Sequence, residues 1–299
     1  DTQLIAFLRD KNVTCYLGCQ PDDMSAFDML ILSPGVSPEL GFIKEARKAG
    51  AEIIGELEIA YRVGNGNYVA ITGTNGKTTT TTLVGEIYKA SGRKTYVVGN
   101  IGVAVISKAL SAESDSWLVT ETSSFQLETT RDFRPEISAI LNLTPDHMDR
   151  HKTMEKYGEA KAKIFKNQSE DQYCVINYDD KVCLALADDC RAKVVPFSRK
   201  EELGFGAFVK DGKITVRNEA GKTVEICGAD ELQIPGSHNL ENALAACAIA
   251  YFGGINPQVI AQTLRSFKGV EHRIELCNEI DGIRFVNDSK GTNPDAAIK

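Results

Sequence analysis

No apolar run in this 299-residue chain is long enough to cross a bilayer. The longest, Ala243 to Phe252, falls well short of the ~20 residues that a spanning helix needs. No charged-then-apolar segment opens the chain, so no secretory signal is expected and membrane contact is not. Positive charge is not in excess either. Lys and Arg number 34 against 41 Asp and Glu, a net charge of −7. That balance argues against general binding to nucleic acid or anionic membranes, so any phosphate must be held by a local site. The eight cysteines include no C-x-x-C pair, and the four histidines (147, 151, 238 and 272) are scattered, so a structural zinc site is not expected. Several of the cysteines lie in apolar runs, as buried thiols do, and a reducing cytoplasm is the expected setting. Nothing repeats internally, and no segment is low in complexity.

What is present is an ordinary globular composition, 42% apolar and 25% charged, with strand and helix signals in alternation. Val13 to Leu17, Met29 to Leu32 and Ile53-Ile54 read as strands, and Glu39 to Ala49 as a helix closed by Gly50. Gly64-Asn65-Gly66-Asn67 reads as a linker. Beyond it, Val69 to Ile71, Thr95 to Val98, Trp117 to Thr120, Ile137 to Leu141 and Cys174 to Ile176 read as buried parallel strands. Helices are expected over Thr79 to Ala90, Met154 to Phe165, Leu240 to Tyr251 and Pro257 to Phe267. A β-rich insertion turns at Asp211-Gly212 and Glu219-Ala220-Gly221, and a last hairpin turns at Asp281-Gly282 before a nascent helix at Lys299. The expected fold is α/β: a central, mostly parallel P-loop-type sheet with flanking helices over 64–269. A partial Rossmann-like α/β domain (1–63) precedes it, and the start of a third α/β domain (270–299) follows.

The most informative stretch joins the strand Val69 to Ile71 to a helix through Gly73-Thr74-Asn75-Gly76-Lys77-Thr78-Thr79. Strand, glycine loop and helix in that order build a phosphate cradle, because glycines admit backbone N–H groups to phosphate oxygens and the helix start favours anions. Lys77 would reach the β- and γ-phosphates, and the Thr78 hydroxyl would hold magnesium. The strict G-x-x-x-x-G-K-[ST] pattern fails at its first position, which is Ile71.

Four further constellations bear on chemistry. Glu121 ends the strand Trp117 to Thr120, on the edge where open α/β sheets bind ligands, and is a candidate magnesium ligand. His147 follows the next strand and lies on the same rim, as a metal ligand or a substrate contact. Lys161 sits on the helix Met154 to Phe165; as a cation it would repel magnesium, whereas a carbamate formed with carbon dioxide would ligate it. Asn239 and Asn242 open a helix, where they could cap it or contact a nucleotide, and Arg273 offers a planar donor fork for phosphate.

Taken together these runs resemble the Mur ligases. Gly73 to Thr78, Glu121-x-Ser-Ser124, Asn142-Leu-Thr-x-Asp-His147, His238-Asn239-x-x-Asn242 and His272-Arg273 occur here in that family's order. Ser123 to Glu128 and Asn287 to Asn293 are similar to the branch that adds D-glutamate to UDP-N-acetylmuramoyl-L-alanine. The resemblance implies an ATP-dependent amide ligase working through an acyl phosphate with two Mg2+ ions and a carbamate on Lys161. It implies ATP contacts at Gly73 to Thr79, Asn239, Asn242, Arg273 and Asp288. Magnesium would be held by Thr78, Glu121, His147 and Lys161. Substrate contacts fall at Asp1, Thr2, Asn100, Ser123, His147, Lys290 and Thr292. It further implies a cytoplasmic, monomeric protein, with a partial first domain and only the beginning of the C-terminal one. Alternatives left open are a diaminopimelate- or lysine-adding relative, or nucleotide binding without turnover.

Overall fold

The structure, a computed structural model, describes residues 2–291. They form two compact units that divide between Gly55 and Glu56. The first contains α1 (Thr2–Asp10), β1 (Met29–Leu32), α2 (Gly41–Ala49) and β2 (Glu52–Gly55), with β1 and β2 paired in parallel. Gly50 closes α2 with φ +105°, a left-handed cap that glycine adopts without a Cβ penalty. Val13 to Leu17, expected as a strand, is irregular: the run is apolar but has no strand beside it to complete a ladder.

The second unit runs α3 (Glu56–Val63), β3 (Asn67–Thr72), α4 (Lys77–Ala90), β4 (Thr95–Gly99), α5 (Ile106–Ala109), β5 (Trp117–Glu121), α6 (Ser124–Glu128) and β6 (Ile137–Ile140). It continues through α7 (Met148–His151), α8 (Met154–Ala162), β7 (Tyr173–Asn177), α9 (Lys181–Leu186), β8 (Lys193–Ser198), β9 (Gly206–Lys210), β10 (Lys213–Arg217) and β11 (Thr223–Gly228). Helices α10 (Ser237–Phe252) and α11 (Pro257–Ser266) follow, then the hairpin β12 (Glu275–Ile280) and β13 (Ile283–Asn287).

A nine-stranded sheet in the order β11-β10-β9-β8-β7-β6-β3-β5-β4 organises this unit. Pairing is parallel from β4 through to β9, and β10 alone runs against its neighbours. The β-rich segment expected as an insertion therefore extends the main sheet. Strand side chains alternate between two cores. Val69, Ile71, Val119 and Val175 pack with α4, α10 and α11 on one face, and Tyr68, Ala70, Leu118 and Ile176 with α3 and α8 on the other. Covering both faces is what makes these strands apolar along most of their length rather than at alternate positions. Ala243 to Ala250 of α10 are fully buried all round, so the longest apolar run is a core helix.

The expected division at 63–64 falls inside the second unit, because Leu57 and Ala60 of α3 are buried in its core. The glycines after α3 are packed as well. A Cβ on Gly66 would collide with the Leu118 side chain, and the Asn67 N–H bonds the Ser116 carbonyl at 2.8 Å. Among the described residues no helix is long and apolar enough to cross a membrane.

Candidate active site

Strand β3 lies between β5 and β6, so the chain reverses its direction of build-up there. At such a switch point the loops leaving the carboxyl ends of neighbouring strands part and open a crevice. The loops after β3, β4, β5 and β6 carry Gly73–Gly76, Asn100, the end of Glu121 and Asn142–His147, respectively. Together they line a cleft of about 510 Å³ that holds Thr74, Asn75, Lys77, Thr78, Asn100, Glu121, Asp146, His147, Arg273 and Lys290.

The phosphate loop is built tightly. Gly76 has φ +82°, and a Cβ there would run into the Asn242 carboxamide, so both backbone and space require glycine. Helix α4 starts at Lys77, and the first N–H groups of a helix have no intrahelical acceptor. The half-buried Lys77 donates to the Gly73 and Thr74 carbonyls at 3.0 and 2.8 Å. Burial pushes its pKa down and Arg273 adds to this, while Glu121 and Asp146 oppose it. Asn75 and Thr74 are fastened to the neighbouring strand end. The Asn75 N–H donates to Asn142 Oδ1 at 2.8 Å, Asn142 Nδ2 donates back to the Asn75 carbonyl at 3.0 Å, and the Thr74 N–H donates to the Asn142 carbonyl at 3.0 Å.

Glu121 is buried at the carboxyl end of β5. Its two oxygens accept from the Thr78 hydroxyl at 2.9 Å and from Asn100 Nδ2 at 2.8 Å. Thr78 and Glu121 are hard oxygen groups side by side, as magnesium prefers. Among the described residues, no three or more His, Cys, Asp or Glu side chains are grouped to hold a metal. The donors present thus fit an ion that takes the rest of its shell from phosphate oxygens and water, as Mg2+ does in nucleotide sites. His147 stands exposed on the rim with φ +54°, its ring 4.9 Å from Phe125.

Lys161 does not line the cleft. It is 1% exposed beneath the phosphate loop, donating to the Gly73 carbonyl at 2.8 Å and the Thr72 hydroxyl at 3.3 Å. Burial, followed by the charge of Lys77, pushes its pKa well down, which favours the neutral amine. Only the neutral amine adds carbon dioxide, so the chemistry of this position suits a carbamate.

A second pocket, of about 90 Å³, adjoins the loop. Its walls include Thr79, Asn239, Asn242, Arg273 and Asp288, with His238 and Glu241 beside them. Gly236 caps α10, so Asn239 lies within the first turn and is not the cap. Asn239 donates to the Pro235 carbonyl at 2.7 Å and accepts from Asn242 at 3.1 Å, and Asn242 in turn accepts from the Thr80 hydroxyl at 3.3 Å. Arg273 faces both pockets, and its Nε is buried without a hydrogen-bond partner, a vacancy that suits an anion.

Ser123 does not line the cleft. Its hydroxyl accepts the Gln126 N–H at 3.2 Å while Gln126 Oε1 accepts the Ser123 N–H at 2.9 Å, a capping box for α6. Thr2 begins α1 in the first unit and is exposed. Asp1 and Thr292 lie outside the described residues. Asn142 and Asp146 stand in the resembling run Asn142-Leu-Thr-x-Asp-His147 without a role of their own, and Tyr157, whose ring hydroxyl meets the Thr74 hydroxyl at 3.3 Å, has no signal in the sequence. A polar residue directly after an apolar strand was the available signal for Asn142.

Residues 71–250 match the Mur ligase middle domain family. The chain is 55% identical over 295 residues to the UDP-N-acetylmuramoylalanine–D-glutamate ligase of Alkaliphilus oremlandii, covering 98% of this chain and 65% of that protein. It is 50% identical over 290 residues to the ligase of the same name from Clostridioides difficile, covering 97% and 64%. The chain thus spans about 65% of the length of the first of these relatives. Among solved structures, MurF from Acinetobacter baumannii aligns with a TM-score of 0.64 at 16% identity, over 92% of this chain and 68% of that one. A UDP-N-acetylmuramoyl-L-alanyl-D-glutamate–2,6-diaminopimelate ligase aligns with a TM-score of 0.60 at 22% identity, over 85% and 62%. These structural likenesses establish a shared fold. With the family match running from the phosphate loop through α10, the chain belongs to the Mur ligases.

Proposed function

We propose that this protein is an ATP-dependent ligase of peptidoglycan synthesis that joins D-glutamate to UDP-N-acetylmuramoyl-L-alanine. The observation that carries the reading is the convergence of Lys77, Thr78, Glu121, Asn100 and His147 on one cleft at the sheet's switch point. The names of its curated relatives support the choice of amino acid. In this reading the substrate carboxylate attacks the γ-phosphorus of ATP, giving an acyl phosphate and ADP. The D-glutamate amine then attacks the activated carbonyl, forms the amide, loses a proton and expels phosphate.

Each side chain has a task in that sequence. Lys77 and the N–H groups at the start of α4 bind the phosphates, and Arg273 closes on them from the other side. Asn239, Asn242 and Asp288 border the nucleoside. Asn100, His147 and Lys290 face the substrate side of the cleft. Thr78 and Glu121 would hold one magnesium ion, and His147 with a carbamylated Lys161 the second. The bound ions would neutralise charge on the transferring phosphoryl group, where preorganised electrostatics dominate catalysis.

The same proposal assigns 1–63 to the UDP end of the substrate, with Asp1 and Thr2 among its contacts. It assigns 64–269 to ATP, and 270–299, including Thr292, to the start of the amino-acid domain. A cytoplasmic monomer is part of the reading. ADP release with UDP-N-acetylmuramoyl-L-alanine and a panel of amino acids tests it, on this chain and on a version with the full length of its relatives. D-glutamate alone should drive turnover. Stimulation by diaminopimelate or lysine instead would move the chain to another branch, and ATP bound without turnover in either version would make it a nucleotide-binding module.

A further inference from the structure

The side chain of Asn142 fills no role in the reading above, yet it makes the most regular polar contact at the site. From the end of β6 its carboxamide pairs with the backbone of Asn75 through both of its polar atoms, at 2.8 and 3.0 Å, as a neighbouring strand would. Its own carbonyl takes the Thr74 N–H at 3.0 Å. Three bonds from one residue therefore fix the two loop residues that precede Gly76 and the start of α4. Lys161 and Lys77 hold the Gly73 carbonyl and Tyr157 and Thr144 meet the Thr74 hydroxyl, whereas the Asn142 carboxamide grips the Asn75 backbone through both its N–H and its carbonyl. Asn75 borders both pockets, and Asn142 itself enters the wall of the smaller one only.

We propose that Asn142 is a positioning residue that presets the phosphate loop, so that the phosphates of the nucleotide meet N–H groups already aimed at them. The loop would otherwise have to be ordered at the moment of binding, and that cost falls on the phosphate contacts alone. The nucleoside contacts on α10 should not depend on it. This inference rests on the ATP reading given above, and the experiment keeps the two apart.

The test compares ATP, ADP and adenosine binding to the wild-type chain and to Asn142→Ala and Asn142→Leu by calorimetry, with thermal unfolding alongside. The expected result is a loss of ATP and ADP affinity on the order of tenfold or more, with adenosine affinity within about twofold of wild type. Equal weakening of all three ligands, or no weakening, overturns the proposal. Wild type that binds ATP no better than adenosine removes the nucleotide reading and this inference with it. Should both variants unfold, amide exchange of the wild type decides: a slowly exchanging Asn75 N–H supports the clasp, and one that exchanges as fast as an open loop rules it out.

Discussion

Glu58 and Glu121 are both buried glutamates, yet their surroundings differ in kind. Glu58, on α3, is saturated by backbone. Its carboxylate accepts the N–H groups of Arg131, Asp132 and Phe133 at 2.9, 2.9 and 3.1 Å and the Arg62 guanidinium at 2.8 Å. Each of its two oxygens accepts two of these bonds. Glu121 is held by one hydroxyl and one carboxamide, both of which can turn away, and it opens on the cleft. A carboxylate held by main chain builds the fold. One held by exchangeable side chains at a sheet's carboxyl edge is ready for a ligand.

The contrast can be broken by mutation. The largest effect is expected at Lys77, which lines the same cleft as Glu121. Lys77→Ala should lower ADP release by on the order of 10²-fold or more, and Glu121→Gln by a similar factor, each with thermal unfolding close to wild type. Near-normal turnover in either would detach the cleft from the chemistry. Glu58→Ala should do the reverse. It takes the acceptor from three N–H groups and leaves Arg62 to its pair with Asp132, and should cost about 3–5 kcal/mol of unfolding free energy, read by urea denaturation, while the folded fraction still binds ATP. Lys161→Ala sharpens the middle ground. If a carbamate is formed there, activity should fall and short carboxylates such as formate should restore part of it. A loss that no carboxylate relieves would leave Lys161 a structural donor to the phosphate loop.

The smallest effect should come from His151. Buried between Phe125 and Tyr157, its ring meets the Ser124 hydroxyl at 2.9 Å and the Glu128 carboxylate at 3.3 Å. Burial pushes its pKa down from 6.5; Glu128 opposes this, and Lys161, Arg150 and His147 reinforce it. The unfolded chain therefore binds a proton more readily than the folded one. Stability contributed by the neutral ring is complete above the unfolded value and is lost as pH falls below about 6.5. Urea midpoints at pH 7.5 and 5.5 should differ less in His151→Phe than in wild type. An unchanged difference would place the acid sensitivity elsewhere.

What could be read from sequence was contiguous. Gly73 to Thr79 declares its cradle within a single run, and the hairpin turns at Asp211-Gly212 and Asp281-Gly282 stand where the residues require them, with Asp211 and Asp281 at positive φ. Strand β8 escaped notice because Pro196 interrupts it. The structure tolerates the proline because β9 pairs only from Phe197 onward, so no ladder bond is missing from its nitrogen. Ser123-x-x-Gln126 is a capping signature visible in the sequence, and the structure engages the Ser123 hydroxyl in that cap. The grip of Asn142 on Asn75 and of Thr78 on Glu121 could not be read locally, since each joins segments that only the parallel register of β3, β5 and β6 brings together.

Helix α10 begins at the smaller pocket and runs through the sheet's core, with alanine at five of the eight positions from Ala243 to Ala250. Its second turn sets Asn242 against Gly76. Small side chains let the helix lie close to the strands, and the same closeness leaves it no play along its axis. An enlarged residue in that alanine stretch would therefore be felt at the helix's other end, as a shift of the asparagine that abuts the glycine loop. A substitution many residues from any ligand would be measured as weakened ATP affinity, and a screen for binding defects should recover core positions of α10 along with the pocket itself.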